Sequence, residues 1–454
     1  MHITRRSLQT LLGAAVAMAM PALAHAQDLG LKAPPQSNPI ILVGPVHTVA
    51  NGTIDRGMVM FEDGEITTVA DAEILERMRL ADDVQVIHLP EGMHIYPGLI
   101  GANTIMGLTE ISSVRATRDH TEVGDFSPEV RAAVSINPDS TLIPVTRSAG
   151  ILTVGVLPLG GNVTGRAAVI RMDGWTWEDM AIETDAGIVL NWPSVRPSTA
   201  WWVTTPREEQ IKRARASITA IDDFFNAAQS YLDARAADDS IQTDIRFEAM
   251  ARTLSAETPI YIRANELEQI ETAVEWAHGR GLRAVIVGGR DAEQCADLLK
   301  RAGVGVIVDG THRLPGRRDH AYDEPFTLPA RLEAAGVHWC LASGEETAHE
   351  RNLPHNAGTA AAYGLDPDAA IRSITLSAAE LLGVADRLGS IEQGKSATLI
   401  ITDGNPLEVT TTVWAAYIDG RRINLTDKQK VLTEKYLERY RQLGLIEDEP
   451  AGDR

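Results

Sequence analysis

Apolar and polar positions fall into three successive textures along this chain, and each predicts a different kind of element. Between Pro39 and His88, short runs such as Ile40-Ile41-Leu42-Val43, Gly57-Met58-Val59-Met60-Phe61 and Ile66-Thr67-Thr68-Val69 are divided by turns such as Glu62-Asp63-Gly64-Glu65. Period-two runs broken by Asp-Gly predict hairpins of a small β-domain. From Ile95 onward, apolar strands alternate with amphipathic helices, the texture of βα units. The candidate strands are His94–Ile100, Ile151–Leu157, Ala167–Arg171, Gly187–Asn191, Pro259–Arg263, Arg283–Val287, Val304–Val308 and Val337–Ala342. Eight of them predict an α/β fold with a (β/α)8 TIM-type barrel, interrupted by the long polar insertion Gly107–Thr146.

After Leu382 the short β runs return, at Ala397–Thr402 and Val413–Ile418. They are expected to complete the N-terminal part as a discontinuous β-sandwich. The expected organisation is a composite β-domain from 38–92 and 385–425, a barrel over 93–384 and a C-terminal helix over 426–446. In that helix Val431, Leu432, Tyr436, Leu437, Tyr440 and Leu443 mark an apolar face expected to pack on the body.

Charge and the first residues narrow the setting. A net charge of −20 argues against nucleic acid or an anionic membrane surface as a partner, since both need basic patches. Residues 1–26 carry Arg5 and Arg6, an apolar run from Leu11 to Ala24 and the small-residue ending Ala24-His25-Ala26. That is a secretory signal, and Thr4-Arg5-Arg6-Ser7-Leu8-Gln9 resembles the twin-arginine type. The expected location is periplasmic or secreted, with no membrane span once the signal is removed. Cys295, placed on a helix, and Cys340, placed in a core strand, are expected to be buried free thiols.

Two segments gather attention without carrying chemistry. Leu159–Arg166 is glycine-rich but lacks the Gly-Lys-Ser/Thr ending of a phosphate loop, so a tight turn between strands explains it better. Trp175, Trp177, Trp192, Trp201 and Trp202 form either an aromatic platform for a ligand or, more often, packing for an insertion or interface.

The motifs point to a family. Pro97-Gly98-Leu99-Ile100, the run Ala378–Gly383, Leu388-Gly389-Ser390-Ile391-Glu392-Gln393-Gly394-Lys395 and Asp403-Gly404-Asn405-Pro406-Leu407 resemble the opening and closing motifs of the amidohydrolase superfamily. Ile136-Asn137-Pro138-Asp139-Ser140 and Asp173–Met180 look like its imidazolonepropionase-related subgroup. The resemblance implies zinc or another divalent ion at the barrel mouth, held by an Asp-x-His-x-His run on the first strand and activating a water molecule.

This chain departs from that pattern. The run reads Gly101-Ala102-Asn103-Thr104-Ile105, so both histidines and the aspartate are gone. No bridging lysine is available, since Lys212 alone lies between Lys32 and Lys300 and it falls in a helix. The fifth-strand histidine position holds Arg263, the sixth falls at Gly288 or Gly289, and the eighth-strand aspartate position holds Gly344. No cofactor and no metal ligand are therefore expected at the standard positions. His120, His312, His320, His349 and His355 are the histidines available for a relocated site, with His120 and His312 foremost.

The expected function is an exported, small-molecule-binding or weakly catalytic pseudoenzyme. Asn103, Arg263, Asn265 and His312 are its ligand-binding candidates, and Glu345 and Asp309 its acid–base candidates. The alternative is a hydrolase of C–N bonds in cyclic amides or peptide-like substrates that uses non-standard residues. A homo-oligomer, or pairing with a complete amidohydrolase, is the partner expectation. A guanidinium where a cation would bind is expected to face either Glu345 or Asp309 from the protein, or a ligand's carboxylate.

Overall fold

The computed structural model describes residues 38–344 and 346–446. The expected export signal and Glu345 lie outside the described residues. Strands β1 (Ile40–His47), β2 (Thr53–Glu62) and β3 (Glu65–Asp71) form an antiparallel meander. The β2–β3 turn uses Asp63 and Gly64, both at positive φ, which matches the right-handed twist of the flanking strands. β4 (Gln85–His88) and β5 (His94–Pro97) both run parallel to β1.

The barrel strands follow, each hydrogen-bonded to the next. They are β6 (Leu99–Thr104), β7 (Ile151–Val156), β8 (Val163–Arg171), β9 (Ala181–Asn191), β10 (Ile260–Ala264), β11 (Ala284–Gly288), β12 (Gly305–Val308) and β13 (Trp339–Leu341). β13 returns beside β6, so the sheet is a nearly closed eight-stranded barrel. β14 (Leu399–Thr402) then pairs antiparallel with β5, followed by β15 (Val413–Ile418) and β16 (Arg421–Arg422). Hydrogen bonds join these three to β1–β5 in one eight-stranded sheet.

Three features differ from the sequence expectation. First, the barrel is not a strict (β/α)8 repeat, because β8 runs antiparallel to both β7 and β9. The linkers 157–162 and 172–180 are too short to hold a crossover helix, so the chain turns back on itself instead. Second, the expected strand His94–Ile100 divides at Gly98, with β5 in the smaller sheet and β6 in the barrel. A Cβ on Gly98 would lie 2.9 Å from the side chains of both Leu152 and Thr398, so only glycine lets the chain pass between the two sheets. Third, helix Lys428–Gln442 buries none of its residues, and its apolar face stands in solvent.

The barrel interior follows the period-two rule. Ile100, Ala102, Ala167, Val169, Val189, Tyr261, Val285, Val287, Ile307 and Cys340 form one inward cluster, with Ala378, Leu381 and Leu382 of helix Leu376–Leu381 and its exit packed against it. Tyr261 is fully buried and donates its hydroxyl to the carbonyl of Leu381. Cys295 and Cys340 are buried and free. Burial pushes both thiols up, Cys295 to about 12. The two sheets are tied by Asp173, whose carboxylate bridges Arg147 (2.6 Å) and the buried Arg421 (2.7 Å). No helix among the described residues is long and apolar enough to cross a membrane.

Candidate functional site

Seven of the eight barrel strands share one direction, so their C-terminal ends gather at one mouth, the place where such barrels build their sites. A cavity of about 340 Å3 opens there, lined by Asn103, Arg263, Asn265, Asp309, His312 and Ser343 among others. Strand periodicity explains part of this set. Tyr261 faces inward, so Arg263, two residues on, does too; Ile307 and Asp309 are related in the same way. The β6–β7 pairing is irregular between Gly101 and Thr104, and Asn103 lines the cavity from that stretch.

The sequence-derived candidates therefore share one cavity, apart from Glu345, which lies outside the described residues. Their partners differ from expectation. Asp309 pairs with Arg290 at 3.5 Å rather than with Arg263. Arg263 donates to the carbonyls of Pro158 (2.9 Å) and Leu157 (3.1 Å), which the short β7–β8 linker brings across the mouth. A third guanidinium, Arg313, makes a two-pronged pair with Glu324 at 2.9 and 3.0 Å. His312 shares a hydrogen bond with the Thr359 hydroxyl at 2.9 Å. Partial burial, with His355 nearby, holds its imidazole below the usual range and so favours the neutral ring.

Two carboxamides stand out. Asn103 is 1% exposed, and its Oδ1 is buried without a hydrogen-bond partner; the Oδ1 of Asn265 is in the same position. Buried polar atoms are nearly always satisfied, so two open acceptors lining one cavity are uncommon.

The residue that sequence reasoning missed is Glu350. It lies on the 3-10 turn Thr347–Asn352, fully buried, and its Oε2 accepts from the Ser343 hydroxyl at 2.5 Å. Its Oε1 has no hydrogen-bond partner. Burial pushes the carboxyl up to about 7, with the Ser343 and Thr104 hydroxyls pulling the other way. The Ser343 contact is a well-formed hydrogen bond, whereas the Thr104 hydroxyl is close without meeting hydrogen-bond geometry. The carboxylate sits directly against Gly101, in space that a side chain there would enter. No motif announced this; the one available clue was a glycine where the resemblance implies aspartate.

The residues present do not fit the ion that the resemblance implies. Such an ion needs three or four lone-pair donors converging on one point. Ile105 offers none, and Asn103 offers one neutral oxygen. Arg263 brings a positive charge, and Gly288 and Gly344 have no side chain. A Cβ on Gly288 would meet the Asn265 side chain at 2.5 Å, so that position is closed to a larger ligand. His355 lies near His312, but His120 and His320 lie elsewhere. His120 bonds Thr109 beside a separate cavity of about 90 Å3, and His320 faces Asp291 and Glu324. Among the described residues no three His, Cys, Asp or Glu side chains are grouped to hold a metal.

The two other singled-out segments are also placed. The glycine-rich linker is a turn held by Asn191, whose Nδ2 donates to the carbonyls of Gly160 and Gly161. The tryptophans do not form one platform. Trp192 is buried and donates to Thr272, while Trp201 and Trp202 meet edge to face on an exposed loop.

Comparison with known proteins agrees with this architecture. Residues 283–426 match the Amidohydrolase family. The amidohydrolase tasK of Hapsidospora irregularis is 23% identical over 396 residues, a match covering 80% of this chain but 39% of that protein. The chain thus spans about two fifths of the length of that relative. Among solved structures, an amidohydrolase from Thermotoga maritima MSB8 superposes with a TM-score of 0.73 at 22% identity, over 85% of this chain and 99% of that one. A prolidase complexed with N-methylphosphonate-L-proline gives 0.52 at 17% identity, over 85% and 99%. The likeness to the Amidohydrolase family thus lies in residues 283–426, and the likeness in fold extends over most of the chain.

Proposed function

We propose that this chain is an exported, metal-independent member of the amidohydrolase family whose barrel mouth binds a small molecule carrying both a carboxylate and an amide. The observation that carries the reading is the pair of buried carboxamide oxygens without a partner, Oδ1 of Asn103 and Oδ1 of Asn265, in one cavity with three guanidinium groups. An amide offers one donor and one acceptor, the complement of an asparagine side chain. A carboxylate is the natural counterpart of a guanidinium fork. The cavity volume is within the range of small-ligand pockets. The ligand class suits the imidazolonepropionase-related subgroup suggested by Ile136–Ser140 and Asp173–Met180, because cyclic amides with acidic side chains combine the same groups.

The test is a thermal melt with N-acetylglycine and with simple carboxylates and amides. The reading expects the molecule that holds both groups to stabilise the protein most. No shift with any of them refutes it. Location outside the cytoplasm rests on the signal at residues 1–26. Pairing with a complete amidohydrolase, or with a second copy, is part of the same proposal.

A second reading is favoured by one contact. A hydrolase of C–N bonds without a metal needs a nucleophile beside a base, and Ser343 beside Glu350 has that form.

A further inference from the structure

We infer that Ser343 and Glu350 form an acyl-transfer pair that acts on the amide or ester carbonyl of a small carboxylate-bearing ligand held in the barrel mouth. The inference rests on the binding reading above and adds chemistry to it. Ser343 lines the cavity, so its hydroxyl is within reach of a bound molecule. Glu350 lies behind it, fully buried, with Oε2 at 2.5 Å from Oγ. That is the reach a general base needs. The hydroxyl's other contact, to the carbonyl of Gly344, is a long 3.4 Å. Gly344 takes φ of +103°, a conformation that glycine adopts readily and that turns the chain sharply just after Ser343.

The steps balance without a co-reactant other than water. Ser343 Oγ bonds to the carbonyl carbon while its proton passes to Glu350, and the carbonyl π electrons move to oxygen. When they return, the C–N bond breaks and Glu350 gives its proton to the departing nitrogen. Water then adds to the acyl carbon, Glu350 takes its proton, the C–Oγ bond breaks and the proton returns to Ser343. One amide and one water become one acid and one amine. Glu350 suits both halves because its carboxyl is poised near neutrality, where it gives and takes a proton with similar ease.

A fluorophosphonate, which loses fluoride to an activated serine, tests the pair in the full mature chain with EDTA present. The expected result is one phosphonyl group per chain, mapped to Ser343, formed faster as pH rises and levelling above about 7. Ser343→Ala loses the label. Glu350→Gln slows it by about 100-fold or more, the usual contribution of a general base. Should Glu350→Gln fail to fold, the pH profile of the parent carries the same information. No label on Ser343, or equal rates in the parent and a folded Glu350→Gln variant, overturns the inference. Melts with N-acetylglycine on parent and Ser343→Ala separate the two ideas. Stabilisation of both without labelling leaves binding standing and removes the chemistry. Labelling without any shift removes the proposed ligand class.

Discussion

The carboxyl of Glu350 occupies the space that a side chain at position 101 would need, and Gly101 is therefore the only residue type that leaves it room. The glycine and the glutamate belong together. Where the resemblance implies a first-strand aspartate, a carboxylate from after the eighth strand takes the space, set against the Ser343 hydroxyl. Gly101→Ala should destabilise the protein by roughly 1–3 kcal/mol, the usual cost of overpacking a filled core. Gly101→Asp should cost more, because two carboxyls then compete for one dry space. Urea melts of the two variants check this; equal stability to the parent would mean that Glu350 moves aside freely.

The pH dependence of stability follows from the same carboxyl. Its folded value, about 7, stands above that of an ordinary glutamate, so the folded state favours the protonated form. The stabilising contribution is complete below the ordinary glutamate range and is lost as pH rises through about 7. Its size is roughly 3 kcal/mol. Glu350→Gln removes the titration. The stability difference between parent and variant should therefore shift in the variant's favour between pH 5 and pH 8, and a difference that stays flat across that window contradicts the assignment.

Arg263 spans the mouth by donating to the Leu157 and Pro158 carbonyls. Arg263→Met takes the guanidinium donor from the Leu157 carbonyl, while the Pro158 carbonyl keeps the Thr164 hydroxyl, at a cost of about 1–3 kcal/mol. The account further expects ligand-dependent stabilisation by N-acetylglycine to disappear in this variant. Retention of the full ligand shift would take Arg263 out of the binding site.

The C-terminal helix predicts the opposite kind of result. Tyr436 and Tyr440 are 51% and 42% exposed, and the helix buries no residue. Alanine at either position should change stability by less than about 0.5 kcal/mol, as is usual for surface substitutions. A larger loss in a monomeric sample would show that the helix packs on the body after all.

Much of the barrel was legible because apolar runs at period two mark strands wherever they occur. The runs around Ile151, Ala167, Pro259 and Val304 all become strands. Strand direction was not legible from those runs, since periodicity is the same for parallel and antiparallel neighbours. The length of the linker 157–162 did hold the answer for β8. The site divided in a similar way. Arg263 and Asp309 could be placed because they continue inward-facing strand positions. Glu350 could not, because it lies on a short 3-10 turn with no periodic pattern, and its place against Gly101 is a matter of tertiary packing. The apolar stripe on residues 428–442 predicted an amphipathic helix correctly, but amphipathicity does not say what the stripe meets.

The proposed binding of a ligand without a divalent ion is tested most directly by elemental analysis. The mature protein, purified without chelator and with zinc, manganese, iron and cobalt supplied during growth, is weighed for metal per chain. The account predicts well under one equivalent of any of them, with N-acetylglycine still stabilising the protein in EDTA. One or more equivalents that survive dialysis, and whose removal abolishes ligand binding, would contradict it.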